Sequence, residues 1–345
     1  MSASLVLVTN PGDGAIATYR LDGESLEPLA VTGGLPGTGT FVVDERRDLV
    51  HAGVKGNPAA VQTLALDRAS GVLTPVSRTD VDDSMTYLAL ADDGRLLLGA
   101  SYGGGYGCVW PVGESGRLGE PVARIEYPNL HSVATAGGFA YFVSLGADLV
   151  AQYALAADGT LTPLDPPTVA APAGSGPRHI VLSADGTNAY VLTEFSGEAL
   201  RFSRDPATGV LSREESVPGY DTARGLGHSV FGADPLEHHY IWGADLHLTP
   251  DGRRLLCSER TESTLATIDV ATDGRLLARL AVSGTERQPR GFCLSLDGRL
   301  VLATSERSTH VAVSRLEDDG TLTLLSRTPT GAGANWVRVV PLVAG

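Results

Sequence analysis

The sequence has few of the features that mark a metal protein, a disulfide-stabilised protein or a membrane protein. Its three cysteines, Cys108, Cys257 and Cys293, form no C-x-x-C pair, and the last two lie in apolar runs, which predicts buried free thiols. No apolar stretch is long enough to span a bilayer, and the first residues lack the basic start of a signal peptide. We therefore expect a cytoplasmic protein that needs no metal or other cofactor and does not associate with membranes.

Basic residues are also scarce. The chain has 26 Lys and Arg against 40 Asp and Glu, which gives a formal net charge of −14. Nucleic acids and anionic membranes reward clustered Lys and Arg, so this balance predicts neither as a partner. A small anionic substrate would need a local cluster of basic side chains. The sequence leaves the oligomeric state open.

Aromatic residues make up only 6% of the chain, whereas glycine (42) and proline (20) are abundant. This composition favours many short strands joined by tight turns over long helices. A hydrophobic share of 43% is enough for a large core and argues against disorder.

An internal repeat determines the predicted fold. A glycine followed two residues later by leucine recurs at Gly71, Gly116, Gly159, Gly209, Gly274 and Gly320, with a looser first copy at Gly23. The spacings are 48, 45, 43, 50, 65 and 46 residues. Each copy contains short alternating runs separated by turns, as in residues 179–212. Four strands in about 40–50 residues are typical of one propeller blade.

The two ends of the chain complete one further repeat. The 25 residues after Gly320 and the 23 residues up to Gly23 together make one period of 48. This predicts an all-β, seven-bladed propeller formed by residues 1–345 as a single domain. We expect the C-terminal strand, near 335–343, to pair with residues 4–9 and to close blade 1 beside three N-terminal strands.

The 65-residue spacing includes about 20 residues more than a blade needs. We assign the excess to an inserted loop at 220–240 between blades 5 and 6, and long insertions in a compact fold often have a function. The loop joins the last strand of one blade to the inner strand of the next. We therefore expect it on the face where inner strands begin, as a mobile lid or as a simple surface loop.

Several segments resemble one family of seven-bladed propellers. They are GPRHIVLSADGTNAYVLTEFSGEALRFSRDPATGVL (176–211), GADLHLTPDGRRLLCSERTEST (243–264) and QPRGFCLSLDGRLVLATSERSTHVAVSRL (288–316), with a weaker match at 130–155. The family is the lactonase family, whose bacterial members are 6-phosphogluconolactonases and whose fungal relatives include carboxy-cis,cis-muconate cyclase. The resemblance implies the propeller fold and a catalytic set of His131, Arg178, Glu194 and Arg260.

Strand geometry indicates the same region. In an antiparallel blade, the start of the inner strand and the end of the second strand lie on one face, opposite the turn between them. The turns are marked by Asp-Gly or Gly-Gly pairs: Asp93-Gly94, Gly137-Gly138, Asp185-Gly186, Asp251-Gly252 and Asp297-Gly298. Counting from them places the catalytic candidates at one mouth of the central channel, where convergent polar groups indicate a ligand site. The substrate-binding candidates at or near this mouth are Tyr102, His179, Asp245, His247, Arg290 and Glu306.

The resemblance leaves two reactions open. For an anionic sugar lactone such as 6-phosphogluconolactone, Glu194 or His131 would activate water, and arginines would bind the oxyanion and the phosphate. For a muconate-type diacid, the same arginines would bind carboxylates, and Glu194 or His131 would deliver a proton to carbon. A third alternative is a non-catalytic interaction propeller, although no GH…WD pattern is present.

Overall fold

The computed structural model of the protein describes residues 4–342, which form seven four-stranded antiparallel sheets arranged in a ring. The first fifteen strands are β1 Ser4–Asn10, β2 Ala15–Asp22, β3 Ser25–Thr32, β4 Thr40–Asp44, β5 Leu49–Val54, β6 Ala59–Leu66, β7 Leu73–Val81, β8 Tyr87–Ala91, β9 Leu96–Ser101, β10 Tyr106–Pro111, β11 Ala123–Glu126, β12 Leu130–Ala136, β13 Phe139–Ser144, β14 Leu149–Leu155 and β15 Leu161–Ala170.

The remaining strands are β16 Pro177–Leu182, β17 Asn188–Thr193, β18 Glu198–Arg204, β19 Leu211–Pro218, β20 Gly243–Leu248, β21 Arg254–Glu259, β22 Thr264–Val270, β23 Leu276–Gly284, β24 Phe292–Leu294, β25 Leu300–Ala303, β26 His310–Leu316, β27 Leu322–Pro329 and β28 Trp336–Pro341. Helical structure among residues 4–342 is limited to one α-helical turn, α1 Pro235–His238, and two 3-10 turns, Asp92–Gly94 and Thr222–Arg224.

Blade 1 is closed by the two ends of the chain, as the repeat predicts. Its sheet has the order β28-β1-β2-β3, and β28 pairs antiparallel with β1 from Ser4↔Pro341 to Thr9↔Trp336. Blades 2 to 7 are β4–β7, β8–β11, β12–β15, β16–β19, β20–β23 and β24–β27. The seven-bladed fold and its closure are therefore confirmed.

The hydrophobic core lies between the blades. Each of the seven clusters of buried apolar side chains among residues 4–342 joins two neighbouring sheets. The cluster between blades 4 and 5, for example, contains Tyr141 and Phe202, both fully buried. Cys257 and Cys293 are free and buried as predicted, Cys108 is also free and buried, and burial raises the pKa of each thiol.

The glycine of the repeat has a structural cause. It forms the turn between the third and fourth strands of each blade, where Gly209 has a φ of +75°. A Cβ atom at Gly209 would lie 2.2 Å from Phe139 of the preceding blade. Both the backbone conformation and the close approach therefore require glycine at this turn.

Candidate active site

The first strand of a blade lines the channel, and several of these strands have a backbone irregularity at the mouth of the channel. In β12, Leu130 pairs with Ser144 and Ser132 pairs with Val143, so His131 is an extra, unpaired residue. Arg178 holds the same position in β16, between Pro177 and His179. In β20 the register shifts between Gly243 and Leu246. Such bulges redirect side chains and are common beside active sites.

The residue that follows the second strand of a blade also faces the mouth. In blades 3, 5 and 6 this residue is Tyr102, Glu194 and Arg260. Together with the bulge residues His131 and Arg178, these side chains line a pocket of about 470 Å³ at the end of the channel. The complete lining is Pro11, Gly37, Gly39, Gly53, Lys55, Ser84, Met85, Thr86, Tyr102, Gly103, His131, Arg178, Glu194, Trp242, Arg260, Arg290 and Asn335.

Glu194 is the central acceptor of this pocket. Its Oε2 atom accepts a hydrogen bond from Arg178 Nε at 2.8 Å and lies 3.3 Å from Arg260 Nη2. Its Oε1 atom accepts a hydrogen bond from the Trp242 indole at 3.2 Å. Burial alone would raise the pKa of this carboxyl, but Arg260 and Arg178 outweigh burial and lower it. Glu194 is therefore ionised, and each of its two oxygens accepts a hydrogen bond.

Arg260 lies over the face of Trp242, with its guanidinium carbon 3.8 Å from the ring centre. Its Nη2 atom also donates to the carbonyl of Gly243 at 3.2 Å. Burial lowers the pKa of Arg260 to about 9, and the negative charge of Glu194 opposes that effect. Stacking, a carboxylate and a carbonyl together fix the guanidinium plane.

Arg178 contacts His179, which in turn contacts Asp245 on the side away from the pocket. Its Nη1 atom lies 3.0 Å from His179 Nε2, and His179 Nδ1 lies 2.8 Å from Asp245 Oδ1. Since a guanidinium can only donate, His179 accepts at Nε2 and donates from Nδ1 to the carboxylate. This requires a neutral ring, in agreement with a pKa of His179 that burial and Arg178 lower to about 3.

Asp245 is buried and takes part in several further contacts. Its carboxylate accepts hydrogen bonds from the backbone of Leu246 and Phe292 at 3.0 and 3.3 Å. Its second oxygen lies 3.2 Å from His247 Nε2. Burial alone would raise the pKa of Asp245, but the two histidines outweigh burial and lower it strongly. The aspartate thus connects blades 5, 6 and 7 beneath the pocket.

His131 is the buried imidazole on the pocket wall. Its Nδ1 atom is buried and has no hydrogen-bond partner within residues 4–342. The ring packs edge-to-face against His179 and Tyr102, with centroids 5.0 and 5.7 Å away. Burial, followed by the positive charge of Arg178, lowers its pKa well below the usual value, so the ring is neutral.

The structure divides the sequence-predicted residues into two groups. All four catalytic candidates line the pocket, as do Tyr102 and Arg290. The other four predicted binding residues, His179, Asp245, His247 and Glu306, do not. The first two are buried beneath Arg178, and His247 supports Asp245. These positions place the three residues as supports of the arginine and not on the pocket wall.

Glu306 lies at the border with a second cavity. It accepts a hydrogen bond from Arg290 Nη1 at 2.9 Å, and burial, which raises its pKa, is outweighed by Arg290, which lowers it. It lines a groove of about 730 Å³ at the edge of blade 7, which contains none of the four catalytic candidates. The smaller pocket at the channel mouth is therefore the better candidate for the active site.

Trp242 and Lys55 are two of the pocket residues that were not predicted from the sequence. Trp242 directly precedes β20, in a connection outside the strand pattern, so no signal in that pattern could have found it. Lys55 follows β5 and holds the blade 2 counterpart of the Glu194 position. It was overlooked because blade 2 has no Asp-Gly or Gly-Gly turn from which to count.

The predicted insertion runs from the end of β19 to the start of β20 on the face that carries the pocket. The backbone N–H of Ser229 donates to the Phe195 carbonyl at 3.0 Å, and His239 Nε2 lies 2.6 Å from Glu262 Oε1. Both partners follow second strands of blades 5 and 6. No residue of 220–240 is among the pocket lining. The segment thus lies beside the mouth, with Val230 and Phe231 exposed.

Comparison with known proteins agrees with this geometry. A family model described as lactonase, 7-bladed beta-propeller, matches residues 5–339. The chain belongs to this lactonase family. A 6-phosphogluconolactonase from Sodalis glossinidius is 30% identical over 345 aligned residues, covering 97% of this chain and 98% of that one. A 6-phosphogluconolactonase from Pectobacterium carotovorum is 28% identical, covering 98% and 99%. The predicted family and enzyme class, a propeller lactonase, are confirmed.

A solved structure extends the comparison. The periplasmic gluconolactonase PpgL of Pseudomonas aeruginosa is 27% identical and superimposes with a TM-score of 0.86, covering 99% of this chain and 100% of that one. Within residues 4–342, no helix has the length and apolar character needed to cross a membrane. Because that relative is named periplasmic, the cytoplasmic location inferred above stays a prediction.

Proposed function

We propose that this protein hydrolyses an anionic sugar lactone, with 6-phosphogluconolactone as the first candidate, in the pocket at the channel mouth. The observation that carries this proposal is the charge of the lining. Four cationic side chains, Lys55, Arg178, Arg260 and Arg290, face one carboxylate, Glu194, in a chain whose net charge is −14. A cationic pocket in an acidic protein favours a small anion.

His131 is the group that we assign as the general base. Glu194 is a weak base, because its oxygens already accept hydrogen bonds from Arg178 and Trp242, it forms an ion pair with Arg260, and its pKa is lowered. His131 is neutral, and its Nδ1 is unpaired within residues 4–342. Part of its lowered pKa comes from the nearby arginines. An anionic substrate would offset their charge and raise the proton affinity of the imidazole.

The reaction would proceed by attack of water on the lactone carbonyl. His131 takes one proton from the water as its oxygen bonds to the carbonyl carbon. The negative charge then forms on the carbonyl oxygen, where a guanidinium nitrogen of Arg178 or Arg260 stabilises it. The ring C–O bond breaks, and the imidazolium returns its proton to the leaving oxygen. The open-chain acid that results releases the second proton of the water to solvent and becomes a carboxylate.

The experiment is hydrolysis of 6-phosphogluconolactone by the wild type and by His131→Asn, measured after subtraction of spontaneous hydrolysis. We expect kcat to fall about 10²- to 10⁴-fold in the variant, the usual contribution of a general base, with little change in KM. A panel with gluconolactone and unsaturated diacids separates lactone hydrolysis from cycloisomerisation. Turnover of a muconate-type diacid without lactone hydrolysis would contradict the proposal, and so would a fully active His131→Asn.

A further inference from the structure

Lys55 is the only lysine of the chain, and it lies on the pocket wall. It directly follows β5, as Tyr102, Glu194 and Arg260 follow the second strands of their own blades. The position is therefore one that repeatedly supplies the pocket with polar side chains. The other 25 basic residues of the chain are all arginine.

The charge of Lys55 is not neutralised by a carboxylate within residues 4–342. Each of the three pocket arginines pairs with a carboxylate, at 2.8 Å, 3.3 Å and 2.9 Å. Lys55, in contrast, pairs with no carboxylate within residues 4–342. An ammonium group without a protein partner in a pocket is free to bind an anion from solution.

The local backbone holds the lysine stem in place. The N–H of Lys55 donates to the carbonyl of Pro36 at 2.8 Å. The stem lies against Gly37, which has a φ of +57°, and a Cβ atom at Gly37 would lie 3.0 Å from Cβ and Cδ of Lys55. Glycine thus permits close packing of the aliphatic stem, while the residue as a whole stays exposed to the pocket opening.

Blade 2 lies across the ring from the arginines of the site. In a ring of seven blades it is three blades away from blade 5, which carries Arg178, and three from blade 6, which carries Arg260. A ligand that reaches both walls must therefore carry an electrophilic carbonyl at one end and an anionic group at the other. A sugar lactone phosphorylated on the carbon farthest from its carbonyl has this arrangement.

We propose that Lys55 is a specificity-determining residue, which binds the anionic group that the substrate carries at the end remote from its lactone carbonyl. For a phosphorylated sugar lactone, this group is the phosphate. The inference rests on the proposed function, since it assigns the orientation of the lactone in the same pocket. It also predicts that the phosphorylated lactone is preferred over the unphosphorylated one.

The kinetic test compares Lys55→Met with the wild type on 6-phosphogluconolactone and on gluconolactone. The ratio of the two kcat/KM values should fall about 10- to 100-fold, as expected for the loss of one charge-assisted hydrogen bond, and mainly through KM. Lys55→Arg should retain most of the ratio. The control is Arg299→Met, which removes an exposed cation beside the Asp297-Gly298 turn on the opposite face and should leave the ratio unchanged.

A second measurement does not depend on catalysis. Reductive methylation modifies only Lys55 and the α-amino group, which serves as the internal reference in mass spectrometry. Protection of Lys55 by 6-phosphogluconate, but not by gluconate at the same concentration, supports the assignment even if neither lactone is hydrolysed. Equal protection by both, or none, overturns it, as does an unchanged kinetic ratio in Lys55→Met when both lactones are turned over.

Discussion

Replacing Glu194 by glutamine tests the arrangement of the active site most directly. The side chain keeps its size, but the negative charge between two buried guanidinium groups is lost. Arg178 and Arg260 have side chains only 2% and 4% exposed, so water cannot fully replace the carboxylate. The change should therefore lower both the free energy of unfolding and the catalytic efficiency.

The size of the stability effect follows from burial. Removing one partner of a buried ion pair costs about 3–5 kcal/mol. Glu194 is 17% exposed on the pocket side, and glutamine still offers one acceptor oxygen, so we expect the lower value of about 2–3 kcal/mol. For a chain of 345 residues, this corresponds to a fall in Tm of about 3–4 °C. Exposed Glu120→Gln, the control, should change stability by less than about 0.5 kcal/mol.

The difference between variant and wild type should depend on pH. The folded protein lowers the pKa of Glu194, so the stabilisation is complete above the unfolded-state pKa, near 4.3. It is lost as the pH falls through the lower folded-state pKa, where the wild type becomes protonated. Denaturant titrations at pH 7 and near pH 4 should show the larger difference at pH 7. Added phosphate should recover part of the lost stability, because an anion can replace the charge.

The activity of Glu194→Gln shows whether Glu194 positions the arginines or acts as the general base. Misaligned arginines should reduce kcat/KM about 10²- to 10³-fold, the range reported for loss of one transition-state donor. The ionisation that limits activity on the acid side should remain in the pH profile, since we assign it to His131. Loss of that ionisation would identify Glu194 as the base. Wild-type Tm together with wild-type kcat/KM would refute the reasoning altogether.

Two further predictions concern the fold and the insertion. Deleting residues 334–345 removes β28 and its buried Trp336, which should abolish the cooperative thermal transition seen by calorimetry, whereas a sharp transition would show that the ring closes without this strand. Deleting residues 223–237 should raise KM or lower kcat with Tm nearly unchanged, because the segment borders the mouth without contributing to the blade cores. An unaltered kcat/KM would make that segment a simple surface loop.

Most of the fold could be predicted because each repeat contains a recognisable turn residue. The glycine between the third and fourth strands is required by a positive φ in every blade, so it survives as a visible marker. Counting from it gives the number of blades, and the leftover residues at the two ends give the closure. Blade 2 shows the limit of the method: without a glycine in its first turn, the position of Lys55 could not be counted.

The pocket residues were predictable where they follow a strand, but their contacts were not. Trp242 both donates to Glu194 and stacks on Arg260, yet it lies in the irregular connection before β20. Nothing in the strand pattern indicates such a residue. The hydrogen bonds that link Asp245 to His179 and His179 to Arg178 could not be predicted either. They depend on contacts between two blades, which residue spacing in the sequence does not reveal.

The bulges at the channel mouth explain why strand periodicity misleads here. Side chains alternate along a regular strand, so Arg178 and His179 should point to opposite faces. The extra residue in β16 breaks this alternation, and the two side chains meet at 3.0 Å. The same irregularity leaves His131 without a paired residue in β12, and it occurs again in β20. Since three adjacent blades share it, the active-site geometry depends on the backbone as much as on the side chains it presents.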